Sequence, residues 1–208
     1  MLRIENEDWC GFEHAMRGMR NPKDSWSKND TYGDEIGDND IDLAVRLAKG
    51  GPVHAKYRRM MVVYVDLVAP LYWWKEFDTY KIGTVANSCS TMHKIDAKPF
   101  DRTHFSCEKM NYRSLAVLDA TIDELNYNRN CFLESGKKEK GYWWQMIQLL
   151  PSSYNQRRTV MMNYEVLANM YKWRRHHKLD EWHTFCDWVE TLPYFNEIIA
   201  VEVKKDEE

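Results

Sequence analysis

The sequence has no surplus of basic residues, no long apolar run and no closely spaced cysteine pair. Lys and Arg total 29 against 32 Asp and Glu, which gives a formal net charge of −3. General affinity for nucleic acid depends on clustered Lys and Arg that neutralise phosphates, so this balance predicts no nucleic-acid partner. No stretch approaches the ~20 apolar residues that a membrane-spanning helix needs, and we expect no membrane association.

The five cysteines are odd in number, and no two have the short spacing of a zinc or redox pair. Free thiols in a reducing compartment are the expected interpretation. The N-terminus also lacks the basic start and apolar run of a secretory signal. These absences predict a soluble, cytoplasmic protein. Two adjacent histidines, His176 and His177, point about 100° apart on a helix, so no metal site is predicted.

The chain does have the composition of a globular protein, with 44% hydrophobic and 13% aromatic residues. Its 208 residues suit a single domain over 1–208, with a charged tail at about 201–208. Nine Trp and twelve Tyr are many for this length. They favour either subunit interfaces or plain core packing, and the two readings carry equal weight for the pairs Trp73-Trp74 and Trp143-Trp144.

Apolar periodicity and turn signals predict several elements in the first half of the chain. We expect helices at 12–21 and 41–49, the second capped by Asp40 and ended by Gly50-Gly51-Pro52. The run 60–69 is β-branched and apolar on both faces, which predicts a central strand. Pro70 then begins a helix at 71–77.

The second half is mostly predicted as helix. Residues 78–105 are polar and irregular, which is typical of a long functional or mobile loop. Helices are expected at 110–134, 143–150, 158–175 and 180–192, the last capped by Asp180.

The order and spacing of these segments carry a family resemblance. A helix ending in Gly50-Gly51 precedes the strand and the segment 69–77 (APLYWWKEF), and Leu149-Leu150-Pro151 comes later. Asn163 lies twelve residues past that proline, in a helix that ends near Arg174. This arrangement resembles the flavin-dependent thymidylate synthases. In that family a Pro-Leu/Ile-Phe segment leads to a Gln-Trp helix and an Arg-His-Arg motif, and a Leu-Pro turn precedes an Asn-x-Arg-Ser-Leu helix.

The resemblance covers about residues 15–185 and implies a fold class, an assembly and an activity. The implied fold is α+β, a mixed α/β fold with a central antiparallel sheet flanked by long helices. Family members are homotetramers whose active sites are built from several subunits. They bind FAD, reduce it with NADPH, move a methylene group from folate to dUMP and complete the methyl group with hydride from the flavin.

Carried onto matching positions, the resemblance implies two sets of ligand-binding residues, and no catalytic residue is assigned. The nucleotide-binding set is Arg174, Ser90 and Glu76. The FAD-binding set is Asn163, Asn169, Lys81 and His54.

Several polar motif positions carry other residues in this chain. Thr79-Tyr80-Lys81 stand where the family has Arg-His-Arg, and Gln148 stands where it has the arginine before the Leu-Pro turn. Glu76 replaces a pyrimidine-binding Gln and has no N–H to donate. The arginine that ends the Arg-His-Arg motif falls near Met92-His93. Because desolvated phosphate needs charged donors, these changes predict weakened dUMP and FAD binding.

The basic run 174–178 (RRHHK) has two interpretations. It offers an alternative set of cations for an anionic ligand, or it is a solvated helix end where cations complement the helix dipole.

Three functional hypotheses follow. The chain is a divergent thymidylate synthase of this type, a homologue that binds another nucleotide or flavin-like ligand without this activity, or a catalytically inactive oligomer. The replaced arginines favour the second over the first, and the matched Asn163, Asn169 and Arg174 disfavour the third.

Overall fold

The computed structural model describes residues 1–201, which form eight α-helices and four β-strands. The strands are β1 (Arg3–Cys10), β2 (Val62–Pro70), β3 (Thr84–Ser88) and β4 (Asn155–Asn163). The helices are α1 (Phe12–Met19), α2 (Asp38–Lys49), α3 (Leu71–Phe77), α4 (Thr91–Lys94), α5 (Tyr112–Glu134), α6 (Lys140–Leu149), α7 (Tyr164–Arg174) and α8 (Asp180–Val189). The predicted charged tail lies outside the described residues from position 202 onward.

The four strands form one sheet in the order β1-β2-β4-β3. Its strands are antiparallel, as the bonds beside β2 and β4 illustrate. The amide of Leu71 donates to the carbonyl of Tyr154 at one end, and Tyr164 donates to Met61 at the other, both at 3.0 Å. Residue numbers therefore increase along β2 in the same direction in which they decrease along β4, which makes the two strands antiparallel. The prediction of an α+β fold with a central antiparallel sheet is confirmed, and β2 is central as expected.

The chain divides into two compact units. The first unit comprises Met1–Arg3, Leu67–Phe77 and Asn87–Arg158. The second unit comprises Ile4–Asp66, Asp78–Ala86 and Thr159 onward. The boundaries fall inside all four strands and at the end of α3.

Helix α5 organises the core of the first unit. Asn111 caps it by accepting from the amides of Arg113 and Ser114. Its buried residues recur at spacings of three and four, so that one face packs inward while the other is exposed. The buried apolar cluster contains Ile95, Phe100, Phe105, Leu118, Ile122, Leu125, Phe132 and Met146.

Aromatic packing dominates the second unit. The Phe12 and Tyr164 rings meet edge-on with centroids 5.5 Å apart, and the Trp182 and Phe185 rings do so at the same distance. The buried Tyr164 hydroxyl donates to the carbonyl of Pro193 at 3.0 Å. Burial of this hydroxyl raises its pKa well above the ordinary value, so it remains a neutral donor.

Two predicted helix caps are wrong. The N-cap of α2 is Gly37, whereas Asp40 is fully buried inside the first turn. The Asp40 carboxylate accepts from Arg20, Asn29 and Thr31, which satisfies a buried charge. It therefore ties the preceding loop to the helix instead of capping it. Helix α8 is preceded by Leu179, and Asp180 is its first residue rather than its cap.

The predicted helix at 158–175 is a strand in its first part, because β4 extends to Asn163 and α7 begins only at Tyr164. Burial within β4 follows a period of two, with Gln156, Val160 and Met162 buried and Arg157 and Thr159 exposed. The other predicted helices at 12–21, 71–77 and 110–134 are confirmed with shifts of at most two residues at each end.

The segment 78–105 is more regular than predicted, because it contains β3 and α4. Strand β1 had no counterpart among the predicted elements. It is mostly exposed and carries several acids and one base (RIENEDWC), which is typical of an edge strand protected by charge.

The four aromatic residues singled out above divide between the core and the surface. Trp73 and Trp74 are buried within the first unit. Trp143 is partly buried and Trp144 is about half exposed. None of the helices formed by residues 1–201 combines the length and apolar character that a membrane span requires.

Candidate functional site

A cavity of about 510 Å³ lies entirely within the first unit. Ser90, one of the predicted nucleotide-binding residues, lies in its wall. Sixteen residues line it, contributed by β1, β2, the stretch from Cys89 to His104, and β4 with Tyr154 directly before it. The cavity is the candidate functional site, because it contains a residue selected by the family resemblance and has the dimensions of a small-molecule site.

The charge of the cavity wall is of one sign. Four lining residues are cationic: Arg3, Lys94, Lys98 and Arg157. Of the sixteen lining residues in the described chain, none is Asp or Glu. The protein as a whole has a net charge of −3, so this wall contrasts with its overall charge. Such a concave cationic surface favours anionic ligands.

The cations do not belong to a single basic run. Arg3 starts β1, Arg157 lies on β4, and Lys94 and Lys98 lie in and after α4. The fold therefore brings together charges that are far apart in sequence.

Backbone bonds to β4 fix the position of Ser90. The amide of its neighbour Cys89 donates to the carbonyl of Arg157 at 2.9 Å. The carbonyl of Cys89 accepts from the side chain of Gln156 at 2.8 Å. Ser90 then caps α4, with its hydroxyl oxygen accepting from the amide of His93 at 3.3 Å. The hydroxyl hydrogen of Ser90 is not used by this cap and can be donated to a ligand.

A second layer of contacts holds Gln156 in place. Its side-chain oxygen accepts from the Arg158 Nε at 3.0 Å, and its carbonyl accepts from the indole of Trp74 at 3.0 Å. The guanidinium of Arg158 lies 4.1 Å from the centroid of the Trp74 ring. Trp74 and Gln156 are buried, so this chain of contacts positions the Cys89-Ser90 backbone rigidly.

The segment that carries the two lysines is anchored on both sides. Ile95 and Phe100 are buried in the core of the first unit. The backbone of Phe100 exchanges two hydrogen bonds with the Asn126 side chain, at 2.8 and 2.9 Å. Buried Asp96 forms an ion pair with Lys137 at 2.6 Å. Burial alone would raise the pKa of Asp96, but the hydrogen bond and charge of Lys137 outweigh it and hold the pKa below its usual value.

The apolar part of the cavity wall is aromatic. Phe100 and Tyr154 both line the cavity, and their rings meet edge-on with centroids 6.3 Å apart. Burial raises the pKa of the Tyr154 hydroxyl, so the phenol stays neutral near pH 7. A cationic wall beside aromatic rings suits a ligand that combines a phosphate with a planar ring.

The predicted Arg174 lies in the second unit, at the last position of α7. Its Nε donates to the Tyr80 hydroxyl at 2.8 Å. The guanidinium carbon lies 5.3 Å from the centroid of the Tyr80 ring and 5.0 Å from that of the Trp182 ring. Tyr80, at a position where the family has a motif residue, therefore packs against Arg174 directly.

Asn163 is the N-cap of α7, and its side-chain oxygen accepts from the amide of Val166 at 2.9 Å. The backbone amide of Asn163 donates to the backbone carbonyl of Gly83 at 3.0 Å. Gly83 has a φ of 81°, and a Cβ there would lie 2.6 Å from the Asn163 side-chain nitrogen. Glycine is thus required beside this asparagine, and the asparagine has a structural role independent of any ligand.

The remaining predicted residues are dispersed. Lys81, Asn169 and His54 are exposed in the second unit. Glu76 is half-buried on α3 in the first unit. Ser90 and Glu76 are thus in the first unit, whereas Arg174, Asn163, Asn169, Lys81 and His54 are in the second.

The basic run 174–178 does not present one cationic surface. The Arg175 guanidinium lies 5.1 Å from the centroid of the Tyr171 ring, and the His177 Nδ1 accepts from the amide of Leu179 at 3.2 Å. His176 and Lys178 are exposed. These separate contacts favour the interpretation of a solvated helix end.

The cavity cations were missed by sequence reasoning. Lys94 and Lys98 are four residues apart, but they lie in a stretch that was predicted as irregular loop. Arg157 precedes a predicted helix and lies instead on a strand. The alternation of residues with a period of two over 155–163 could have predicted a strand that carries Arg157. Nothing in the sequence links Arg3 to this site.

Comparison with known proteins gives a structural likeness only. No family model matches the chain, and no curated protein matches it in sequence. Thymidylate synthase X (ThyX) from Helicobacter pylori, solved with FAD and dUMP, matches with a TM-score of 0.71 at 16% identity. The match covers 96% of this chain and 97% of that one.

A second kind of solved structure is also similar. The UMP/dUMP methylase PolB from Streptomyces cacaoi, bound with 5-Br dUMP, matches with a TM-score of 0.63 at 12% identity. It covers 98% of this chain and 94% of that one. The chain therefore has the fold of the flavin-dependent thymidylate synthases, and the fold expected from the sequence is confirmed.

Proposed function

We propose that this chain is a divergent flavin-dependent thymidylate synthase-like protein that binds a pyrimidine nucleoside monophosphate and methylates it at C5, with dUMP as the reference substrate. One observation carries the proposal. The cavity beside Ser90 has four cations and no acid in its wall, on a fold whose solved examples hold dUMP or 5-Br dUMP. The fold supports the substrate class, and the cavity supports retained phosphate binding.

The cavity supplies what the replaced motif arginines no longer provide. A phosphate monoester carries −1.5 to about −2 at pH 7 and accepts several strong hydrogen bonds. Arg157 offers a bidentate fork, and the Ser90 hydroxyl can donate a further bond. In this proposal these two residues bind the phosphate, and Phe100 and Tyr154 flank the base. Arg174 and Glu76 remain proposed nucleotide contacts on the resemblance alone.

The chemistry balances with a one-carbon donor and a reductant. A methylene group from a folate derivative forms a bond to C5 of the pyrimidine, and the C5 proton is lost to solvent. When bound, FAD that has been reduced by NADPH supplies the hydride that completes the methyl group. The residues of this chain bind and orient the nucleotide in the cavity and exclude water from its aromatic side.

Only some of the residues at the FAD-binding positions implied by the family resemblance can bind FAD. Exposed Lys81, Asn169 and His54 offer one cation and polar donors that suit flavin carbonyl and phosphate oxygens. Asn163 has its side-chain oxygen taken by the α7 cap, and Tyr80 contacts Arg174. We infer that Lys81, Asn169 and His54 would hold FAD weakly, so that little copurifies. A stoichiometric flavin absorbance in purified protein would contradict this.

Assembly as a cytoplasmic homotetramer is part of the proposal. Apolar and aromatic side chains are exposed on α5 and α6, including Tyr112, Val117, Trp144 and Leu149. Exposed side chains of this kind suit subunit interfaces. All five cysteines are free thiols, which suits a reducing compartment. Light scattering that shows a stable 24.9 kDa monomer at micromolar concentration would exclude the tetramer.

The deciding experiment combines binding and turnover. Calorimetry with dUMP, followed by release of tritium from 5-tritiated dUMP with a methylene-folate, NADPH and added FAD, should show binding and conversion to dTMP. Binding without tritium release would replace the synthase by a nucleotide-binding homologue without methylation. Absence of dUMP binding at millimolar concentration would overturn the proposal.

A further inference from the structure

The cavity has more positive charge than one phosphate monoester neutralises. Its wall has four cationic side chains, and a monoester carries at most about two negative charges. Arg157 and Ser90 already suffice to bind one phosphate. Lys94 and Lys98 therefore remain as two further cations on the same wall.

Lys94 and Lys98 both line the cavity. Among residues 1–201, neither ammonium group has an ion-pair partner. The acid between the two lysines, Asp96, is buried and forms an ion pair with Lys137. Ile95 and Phe100 anchor the backbone on either side, so the stems of Lys94 and Lys98 project from a fixed segment.

The chemistry of lysine indicates what such a pair would bind. An ammonium group is a compact charge on a flexible stem, so it follows an anion without the directional demand of a guanidinium. Two of them, four residues apart in the wall of one cavity, suit a ligand that has a second negatively charged group beyond its first phosphate.

We propose that this cavity binds a nucleotide that bears a pyrophosphate group, with the first phosphate at Ser90 and Arg157 and the second at Lys94 and Lys98. This inference rests on the proposed function, because both place the nucleotide in the same cavity. It extends that function by naming a diphosphate ligand in addition to the monophosphate. The ligand class is a nucleoside diphosphate, since the proposed function assigns FAD to Lys81, Asn169 and His54 in the second unit.

The test compares ligands that differ by one phosphoryl group. Calorimetry on the full chain at low salt measures dissociation constants for dUMP, dUDP, FAD, inorganic phosphate and pyrophosphate. We expect dUDP to bind about tenfold more tightly than dUMP, and pyrophosphate more tightly than phosphate by a similar factor. The double variant Lys94→Gln/Lys98→Gln should abolish this advantage, so that dUDP and dUMP bind with equal affinity and pyrophosphate binds no more tightly than phosphate.

Lys138→Gln is the matched control, because Lys138 is an exposed lysine of the same unit outside the cavity. It should leave all five affinities unchanged, and thermal melting should show that every variant is folded. Lysine-dependent binding of dUDP but not of FAD would support the nucleoside diphosphate, whereas lysine-dependent binding of FAD but not of dUDP would overturn the inference.

The outcomes separate this inference from the proposed function. Equal affinity for dUMP and dUDP, with pyrophosphate no tighter than phosphate, would overturn the inference and leave the proposed function standing. An advantage that survives in the double variant would also overturn it. Binding of pyrophosphate without any binding of dUMP would support the anion site and overturn the proposed function.

Discussion

The cationic cavity of the first unit and the surroundings of Arg174 in the second unit contrast in how their cations are used. The cavity has four cations and no acid in its wall, and its lysines have no ion-pair partner within residues 1–201. Arg174 instead donates to Tyr80 and lies against the Tyr80 and Trp182 rings. Lys94 and Lys98 face a cavity, whereas Arg174 packs against aromatic rings of its own protein.

This contrast shows that a matched position does not guarantee an available donor. Arg174 and Asn163 match the family pattern in sequence, yet both have contacts that stabilise the second unit. Lys94, Lys98 and Arg157 match no motif, yet they line the cavity beside Ser90. Changes in the cavity should therefore alter affinity, whereas changes around Arg174 should alter stability as well.

The largest effect is expected from charge reversal in the cavity. Arg157→Glu places an acid beside the bound phosphate, and we expect dUMP affinity to fall about thirtyfold, roughly 2 kcal/mol. Arg157 is exposed, and thermal melting should show that the variant is folded. Arg113→Glu, on an exposed arginine of the same unit outside the cavity, should leave affinity unchanged. A loss of less than threefold in Arg157→Glu would remove this residue from the site.

The next effect tests whether the lysine-bearing segment depends on its buried anchor. Lys137→Met leaves Asp96 buried without its partner, and we expect a loss of about 1.5 kcal/mol in the free energy of unfolding. The figure is below that of a fully buried pair because Lys137 is more than half exposed. Lys138→Met is the control and should be neutral. An unchanged denaturation midpoint in Lys137→Met would show that the pair does not anchor this segment.

The ion pair between Asp96 and Lys137 also predicts that the free energy of unfolding depends on pH. Folding lowers the pKa of Asp96, so the unfolded state binds the proton more readily. The contribution of Asp96 is therefore complete above its ordinary pKa of about 4 and is lost as the pH falls through the lower folded value. Urea denaturation at pH 5 and pH 3 should show a smaller acid-induced loss in Lys137→Met than in the parent protein. Equal losses would contradict the assignment.

Arg174→Ala should affect both stability and binding. Loss of the hydrogen bond and of the contacts with two rings should cost about 1 kcal/mol in unfolding free energy. Since Arg174 is also a proposed nucleotide contact, dUMP affinity should fall about tenfold. Arg174→Lys keeps the charge and should recover part of the affinity. If only the unfolding free energy changes, Arg174 is a structural residue and its proposed ligand role is withdrawn.

The smallest effect is expected from Tyr80→Phe, which removes only the hydroxyl that accepts from Arg174. We expect a loss of about 0.5 kcal/mol in unfolding free energy, since the ring contact remains. Denaturant titration measures this, with Tyr112→Phe on a highly exposed tyrosine as the control. A loss above 2 kcal/mol would show that the hydroxyl has a larger structural role than the single hydrogen bond indicates.

Much of the fold followed from the sequence because its signals are local. The apolar, β-branched run at 60–69 predicted the central strand, and Pro70 predicted the start of α3. Periodic apolar residues predicted α5 almost to its ends. The strand at 155–163 was mistaken for helix, since its short period-two pattern runs directly into the apolar residues of α7.

The candidate site was predicted only in part. Ser90 was implied by the family resemblance, and it lines the cavity. The caps of α2 and α8 were assigned to the nearest Asp in each case, but the Asp40 carboxylate is buried among Arg20, Asn29 and Thr31, residues 9 to 20 positions away in sequence. Long-range pairing of this kind overrides local propensity and leaves no local trace.

The sequence by itself determined most of the helices, the central strand and the arrangement that resembles a known fold, because those depend on periodicity and turns between near neighbours. Only the tertiary structure decided which cations face a ligand. Arg3, Lys94, Lys98 and Arg157 meet because strand pairing brings β1, β4 and the segment after β3 to one cavity, while Tyr80 and Trp182 pack against Arg174 in the other unit. Whether a cationic side chain can bind a ligand depends on which residues, distant in sequence, become its neighbours. Tertiary packing decides this.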